Sequence, residues 1–452
     1  MDRAAFGPEF KWGMAISALQ HEGAYNVGGR SASIWDTFLK RKGKIEDLET
    51  CGFYYHFRED LKVLKATGAE HFRFSISWSR LFPEDSLAPN LIAEKFYSEI
   101  IDTCLDLEIE PWICLYHWDL PQYLEKKGGW TNRKMVNHFA DYAEQVHGMF
   151  KHKVKNWLLI NEALTFTGAG YYLGIHAPGK RGLRNFLPAV HHVLMAQGRA
   201  FRRLKTNEPS SYIGFSLAML PIEVQGISLR KMQAKERIDC FFNKLFIEPV
   251  LGKPYPTDKL PFLKNMKKYV KAGDMQEIHC IPDFVGVQSY TRLHIKPAWY
   301  IPYVKAKVIP AKKLNKACSY LGWEIYPAAI YKSLKALTEY KEMPDLLVTE
   351  MGIPLEDELQ GKRVEDLQRI SYLSSSLEQV EKAKNEGVQV KGVFFWSLLD
   401  NLEWIEGFGP RFGLIHVDFK TKRRSLKASA MWLSKFLNTN KVEQLRSVLA
   451  GK

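Results

Sequence analysis

Two short segments put a glutamate directly behind a run of apolar residues: Leu158-Leu159-Ile160-Asn161-Glu162 and Leu346-Leu347-Val348-Thr349-Glu350. Each reads as a buried β-strand that ends on a carboxylate. Two carboxylates about 5 Å apart cleave a glycosidic bond by two displacements, with net retention at the anomeric carbon. One attacks as an anion, and the other hands a proton to the leaving oxygen. Identical side chains divide these roles only if their surroundings differ. Arg73 offers a cation and Tyr290 a hydroxyl donor, which both favour a charged Glu350. That charge, with partial burial, favours a protonated Glu162. Asn161 stands beside the acid and can donate to a substrate hydroxyl.

Such residues must be carried to one place by the elements around them. Eight β-rich runs read as strands: 10–20, 71–78, 110–118, 155–162, 212–218, 284–290, 345–350 and 391–400. Helical patterns lie between most of them, at 57–67, 91–107, 133–150, 186–205 and 363–386. Alternation of strand and helix predicts parallel strands with crossover helices. Eight units predict a closed (β/α)8 TIM barrel, taken here as a single domain over 1–452. The chain exceeds a plain barrel of ~250 residues, so 30–56, 163–185 and 219–283 read as long loops. The fifth and sixth units carry the weakest pattern. An open doubly wound sheet is the alternative, but no Gly-rich phosphate turn follows the first strand.

Barrel chemistry sits at the C-terminal strand ends. Polar residues fall there: Gln20, Arg73, His117, Trp118, Asn161, Glu162, Tyr290, Glu350, Glu403 and Trp404. Taken singly, each has an ordinary reading. A strand-end Glu is usually salt-bridged, Arg73 an ion-pair partner, His117 a core histidine, and Trp396 and Trp404 packing. Their joint position carries the argument.

Bulk properties narrow the class. The 452 residues are 46% hydrophobic, 25% charged and 13% aromatic, the balance of a soluble globular chain with many flat faces. The net charge is +14, with the basic residues spread over amphipathic segments and densest in the runs 265–271, 305–316 and 419–424. None interleaves aromatics in a recognition pattern, so a solvated basic surface is expected rather than a nucleic-acid site. The six cysteines show no CxxC spacing, which argues against a metal site or redox dithiol. Cys114 reads as a small core residue. No signal core opens the chain and no membrane span is present, so a cytoplasmic location is expected.

The motifs FKWGMAISALQHEG, SIWDTF, EHFRFSISWSRLFP, LYHWDLPQYLEKKGGW, LLINEA, YYLGIHAPG, GWEIYP, VTEMG, FFWSLLDNLEW and RFGLIHVDF closely resemble those of glycoside hydrolase family 1, the retaining β-glucosidase family. The resemblance runs from about residue 6 to about residue 435. It implies that Glu162 is the acid/base, Glu350 the nucleophile, and Arg73 and Tyr290 the residues holding the nucleophile. It implies a sugar-binding set of Gln20, His117, Trp118, Asn161, Trp396, Glu403, Trp404 and Phe412, with Trp323 as a platform beneath the leaving group. No metal or organic cofactor is implied, and the partner is a small-molecule β-glycoside.

Three departures stand out. Ala163 replaces a usual Pro and is expected to loosen the aim of Glu162. Met351 replaces an Asn, removing a polar neighbour of Glu350. Gln288-Ser289 replaces Asn-Tyr and shifts hydrogen bonds near the acid/base. A branch of the family that cleaves 6-phosphoglycosides lacks the sugar-binding acid and supplies Ser, Lys and Tyr for the phosphate. Here those positions are Glu403, Pro410 and Phe412, and an anionic Glu403 is expected to repel a phosphate by roughly 4 kcal/mol per charge pair at ~4 Å. The expected activity is β-glucoside hydrolysis, with β-galactosides and β-fucosides tolerated. The alternatives are a non-catalytic glycan-binding barrel, a polyanion-binding protein and a 6-phospho-β-glycosidase. The aglycone depends on 163–185, 219–283 and 291–322, and neither it nor the oligomeric state is fixed by these motifs.

Overall fold

Strand-forming runs buried on both faces, such as Glu110–Tyr116, force the fold: a strand without a wet face must lie between two packed layers. In the computed structural model, which describes residues 2–44, 48–361 and 363–437 together with Leu445 and Ser447, these runs close into a barrel. Its strands are β1 (Lys11–Ala15), β2 (His71–Ser75), β3 (Glu110–Tyr116), β4 (Asn156–Ile160), β5 (Tyr212–Ala218), β6 (Phe284–Gln288), β7 (Asp345–Met351) and β8 (Val390–Trp396). They neighbour one another in chain order, and β8 closes onto β1 in parallel register from Lys11↔Gly392 to Ala15↔Trp396. All eight predicted strands are present: β5 keeps its predicted bounds, β7 runs one residue longer, and the other six are shorter.

Period-two alternation sorts the side chains into two cores. Ala15, Trp112, Cys114, Leu158, Phe284, Leu347 and Phe394 fill the barrel interior. Their chain neighbours Met14, Ile113, Leu115, Trp157, Leu159, Leu346 and Val348 belong to the larger core shared with the helices. The helices Phe53–Ala66, Leu91–Asp106, Met135–Phe150 and Leu183–Asn207 match the predicted segments. The first stops where Gly68 adopts φ 87°, a conformation that suits glycine.

The loop expectations need correction. The stretch 30–56, of which 45–47 lie outside the described residues, contains helix Ile34–Arg41, started by a Ser33/Asp36 capping box. The stretch 163–185 begins with helical turns at Ala163–Leu173. The stretch 219–283 holds a strand, helix Leu229–Asp239 and several shorter turns. Segment 363–386 starts as a strand, Arg363–Val364, and becomes helix only at Leu367. Two small sheets lie outside the barrel. One joins Ile222–Val224, Leu293–Pro297 and Ala306–Ile309; the other joins Arg363–Val364, Arg424–Lys427 and Ile415–Val417.

Candidate active site

The C-terminal strand ends surround a cavity of about 390 Å³ lined by Gln20, His117, Trp118, Asn161, Glu162, Tyr290, Trp323, Glu350, Trp396, Glu403, Trp404 and Phe412. Every predicted site residue is thus on its wall except Arg73, which lies beneath it. Arg73 points inward from β2, since Phe72 and Phe74 on either side belong to the outer core. It is 1% exposed and holds Glu350 and Asn161 from below.

Glu350 reaches the cavity through an irregularity. Strict alternation along β7 puts Leu347 inward and would turn residue 350 out. The pairing with β6 shifts register between Val348 and Glu350, and such an extra residue re-aims the side chain that follows. Gly352 is required next, because a Cβ there would come 1.9 Å from the carbonyl oxygen of Trp396. Arg73 Nη1 donates to Glu350 Oε1 at 2.6 Å, and the Tyr290 hydroxyl donates to Oε2 at 2.7 Å. Both oxygens of Glu350 are therefore fixed.

Glu162 is placed by a backbone device. It has φ 44°, a sparsely populated value for a residue with a Cβ, just before the helical turn that starts at Ala163. Trp118 (φ 75°) and Trp404 (φ 48°) share this conformation and this cavity. Such strain persists only where the surroundings over-determine it. The Glu162 N–H donates to the Ser216 carbonyl at 3.1 Å, and the Thr165 N–H donates back to the Glu162 carbonyl at 2.9 Å. At Ala163, where a usual Pro is missing, the helix start and β5 hold the turn through these two bonds.

Asn161 is the most constrained side chain of the set. Its Oδ1 accepts from Arg73 Nη2 at 2.6 Å, Ser216 Oγ at 2.7 Å and Gln288 Nε2 at 2.8 Å. Three donors on one oxygen fix which way the amide faces. Its Nδ2 then lies 3.2 Å from His117 Nε2. Burial, with Arg73 next, pushes His117 well below the ordinary histidine range, so the ring is neutral. An Nε2 that accepts leaves the proton on Nδ1, which has no protein partner among the described residues. Trp118 and Trp404 stack at 4.4 Å, and Trp323 borders Tyr290 and Phe412 at 5.6 and 6.4 Å.

Two departures act differently from what the sequence predicts. Met351 packs in the outer core, 4% exposed, so it changes packing rather than removing a polar neighbour at the site. Ser289 accepts from Ser333 Oγ at 2.9 Å, away from the cavity. Gln288 is the departure that matters, because it ties β6 to Asn161 just after β4, Ser216 on β5 and Thr349 on β7. Replacing Gln288 by Ala removes one of the donors that orient Asn161. The expected result is a fall in kcat/KM of roughly tenfold, the worth of one buried hydrogen bond, measured on an aryl glycoside with the Tm as a folding control.

Electrostatics separate the carboxylates. Burial first, then the Glu350 charge, lifts Glu162 well above the carboxylate range. Burial lifts Glu350 too, but Arg73, Tyr290 and Gln288 pull it back, so Glu350 loses its proton first. Glu403 is pushed up to about 8 by burial and by the charges of Glu350 and Glu406. The expected repulsion of a phosphate by an anionic Glu403 is therefore weaker than the sequence implies. What disfavours a phosphate is the wall: among the described residues no Lys or Arg lines the cavity.

The Glu403 shift has a consequence for stability. The unfolded chain loses this proton near 4.5, whereas the folded protein keeps it to about 8. Unfolding between those values releases a proton, so this group's contribution falls as pH rises across that window. Glu403→Gln should raise Tm, with a gain that is small near about pH 5 and grows toward about pH 8. Thermal unfolding over a pH series checks this; a gain that stays constant with pH contradicts it.

Several wall residues were not singled out in the sequence. Nor was Ser216, which does not line the cavity but faces inward by alternation with Gly214 and Ala218 and donates to Asn161 Oδ1. His176, Thr165, Met219, Leu220, Thr291 and Leu293 come from the long connections and shape the mouth. Each of the stretches 163–185, 219–283 and 291–322, on which the aglycone is expected to depend, thus contributes residues to the cavity wall.

Barrel, cavity and carboxylate pair together have the build of a (β/α)8 glycoside hydrolase. The model of glycosyl hydrolase family 1 matches residues 2–442. Beta-glucosidase A of Thermotoga maritima is 36% identical over 450 residues, spanning 98% of this chain and 100% of that protein. Beta-glucosidase A of Acetivibrio thermocellus is 34% identical over 97% of this chain and 100% of its own length. The solved structure of the family 1 β-glucosidase from Thermotoga maritima superposes with a TM-score of 0.91 at 34% identity, over 96% of this chain and 98% of that one. The chain belongs to glycosyl hydrolase family 1.

Proposed function

We propose that the chain is a retaining β-glycosidase that hydrolyses β-glucosides, with β-galactosides and β-fucosides as further substrates. One observation carries the reading: two buried carboxyl groups line one cavity in unlike surroundings, Glu350 against a cation and a phenol, Glu162 against neither. Glu350 attacks the anomeric carbon while Glu162 gives its proton to the glycosidic oxygen, and the aglycone leaves as an alcohol. Bonding to carbon removes the Glu350 charge. That charge is one of the two main causes holding the proton on Glu162, so Glu162 becomes more acidic and can take a proton from water. The water attacks, the ester to Glu350 breaks, and the sugar leaves with its original anomeric configuration.

Asn161 and His117 present N–H donors to sugar hydroxyls, while Glu403 and Gln20 offer the opposite wall. Trp323 supports the departing aglycone. The reaction as written needs no metal and no organic cofactor. Hydrolysis of a chromogenic aryl β-glucoside, with the first-formed anomer read by proton resonance, tests the proposal. Release of the β anomer supports it. Sugar binding without release favours a glycan-binding barrel, and release of the α anomer rules out double displacement.

A further inference from the structure

Two of the chain's densest basic runs, 265–271 and 305–316, take no part in the cavity, yet the fold brings them together. In the sheet of Ile222–Val224, Leu293–Pro297 and Ala306–Ile309, the first two strands run parallel and the third turns back, pairing Pro297 with Ala306. Residues 225–229 and the hairpin tip 298–305 therefore leave the same end of the sheet. Tyr303 in the tip packs on Phe262 at 5.2 Å, joining it to the 3-10 helix Pro261–Lys268, which carries Lys264, Lys267 and Lys268. Helix Leu229–Asp239 begins at the same end, and its Arg237 donates to the Val304 carbonyl at 2.8 Å.

This end exposes what a soluble surface usually hides. Ile227 is 92% exposed, Trp299 86%, Leu229 76% and Tyr300 55%. Scattered single apolar residues are ordinary, but a group of them on one projection marks an interaction surface. Within 225–233 and 296–308 every charged residue is a cation: Arg230, Lys231, Lys296, Lys305 and Lys307. None of these five forms an ion pair among the described residues. The acids nearest in the chain are engaged elsewhere, Glu236 with Lys259 at 2.8 Å, Asp239 with Lys244 at 3.3 Å and Glu223 with Lys332.

We propose that this projection is a docking surface for an anionic lipid bilayer. Trp and Tyr favour the headgroup level, aliphatic side chains enter beneath it, and lysines meet the negative surface. Nucleic acid would also use cations and aromatic faces, but Ile227 and Leu229 have no π-face for a base to stack on. No helix among the described residues is long and apolar enough to cross a membrane, so the contact is peripheral. The sheet rises from the rim of the cavity, since Leu220 and Leu293 line the cavity and also pack on the sheet's apolar cluster. Docking therefore holds the mouth close to the bilayer.

The test uses the full chain and does not depend on catalysis. The protein is sedimented with vesicles of phosphatidylcholine alone, and with vesicles containing about 30% phosphatidylserine, at about 0.05 M and about 0.5 M salt. Retention is expected on the anionic vesicles only, and weaker at the higher salt. Lys305→Ser with Lys307→Ser, and separately Trp299→Ala with Tyr300→Ser, should each lower partitioning roughly 10- to 30-fold. Their Tm should be unchanged, because these side chains are exposed. The proposal is overturned by an absence of binding to anionic vesicles, by binding that these variants leave intact, or by capture of single-stranded RNA in place of vesicles.

Discussion

Glu350→Gln is expected to lower kcat at least about 10⁴-fold on every β-glycoside, whatever the aglycone. The amide has the shape of the carboxylate but no charge and no useful nucleophilicity. No neighbour can substitute for it. Burial, the largest cause of the shift in each case, still favours the protonated forms of Glu162, Glu403 and the Tyr290 phenol when the Glu350 charge is gone. The variant should still bind sugars, because Asn161, His117, Gln20 and Glu403 are untouched. It should also lose stability, since Arg73 is 1% exposed and its charge then meets only neutral acceptors: the new amide oxygen, the carbonyl of Thr349 and Oδ1 of Asn161. Glu350→Ala makes a more telling variant, because it leaves room for a small anion. Added azide or formate should then attack an activated β-glycoside from the side that the carboxylate has left, and restore turnover with an α-linked product. Steady-state rates across aglycones, with the product anomer identified, decide the matter. Activity within about tenfold of wild type removes Glu350 from the role of nucleophile.

Much of this site was legible in the sequence because barrels put their chemistry where strands end. Eight buried runs, all but the fifth paired with a polar residue at or near the C-terminal end, were enough to bring Glu162, Glu350, Tyr290, Asn161 and His117 to one mouth. Inward-facing Arg73 was readable from the alternation of Phe72, Arg73 and Phe74. The bulge that aims Glu350 was not readable, since a local pattern places residue 350 on the outer face. Nor was the role of Ser216, a small hydroxyl in an apolar strand, whose meaning depends on where Asn161 of the adjacent strand lies.

The outer layers were harder for a different reason. Helix Leu229–Asp239 buries only Ala234 and Ile238, so its apolar stripe is too thin to stand out in a sequence rich in Lys, Arg and Glu. The strands Ile222–Val224 and Arg363–Val364 are two or three residues long and gain their pairing from partners distant in the chain. Burial is likewise a property of the assembled fold. The raised affinity of Glu403 for a proton comes first from desolvation, and that weakens the electrostatic argument about phosphate made from the sequence. The same limit hid the effect of Met351, whose side chain points to the helices and not to the sugar.

Glu162→Gln should separate the two halves of the reaction. The first step needs a proton in proportion to how poor the leaving group is, so an alkyl β-glucoside should lose roughly 10²- to 10⁴-fold in kcat/KM. A dinitrophenyl β-glucoside, whose phenolate leaves unaided, should lose less than about tenfold in the same quantity. The second step needs a base whatever the aglycone was. With water as acceptor it should become rate-limiting, giving a burst of phenolate equal to the enzyme concentration and a lowered KM. Azide attacks without help from a base, so it should raise turnover of the activated substrate and yield the β-glycosyl azide. The pH profile supplies an independent readout. In the wild type, kcat/KM falls on the acid side as Glu350 gains a proton and on the basic side as Glu162 loses the one that burial and the Glu350 charge hold on it. Glutamine has no proton to lose there, so the basic limb should disappear while the acid limb stays. An equal loss on both substrates, with the basic limb intact, would move the acid role to another group, and Glu403, lining the same cavity with a pKa near 8, would be the first to examine.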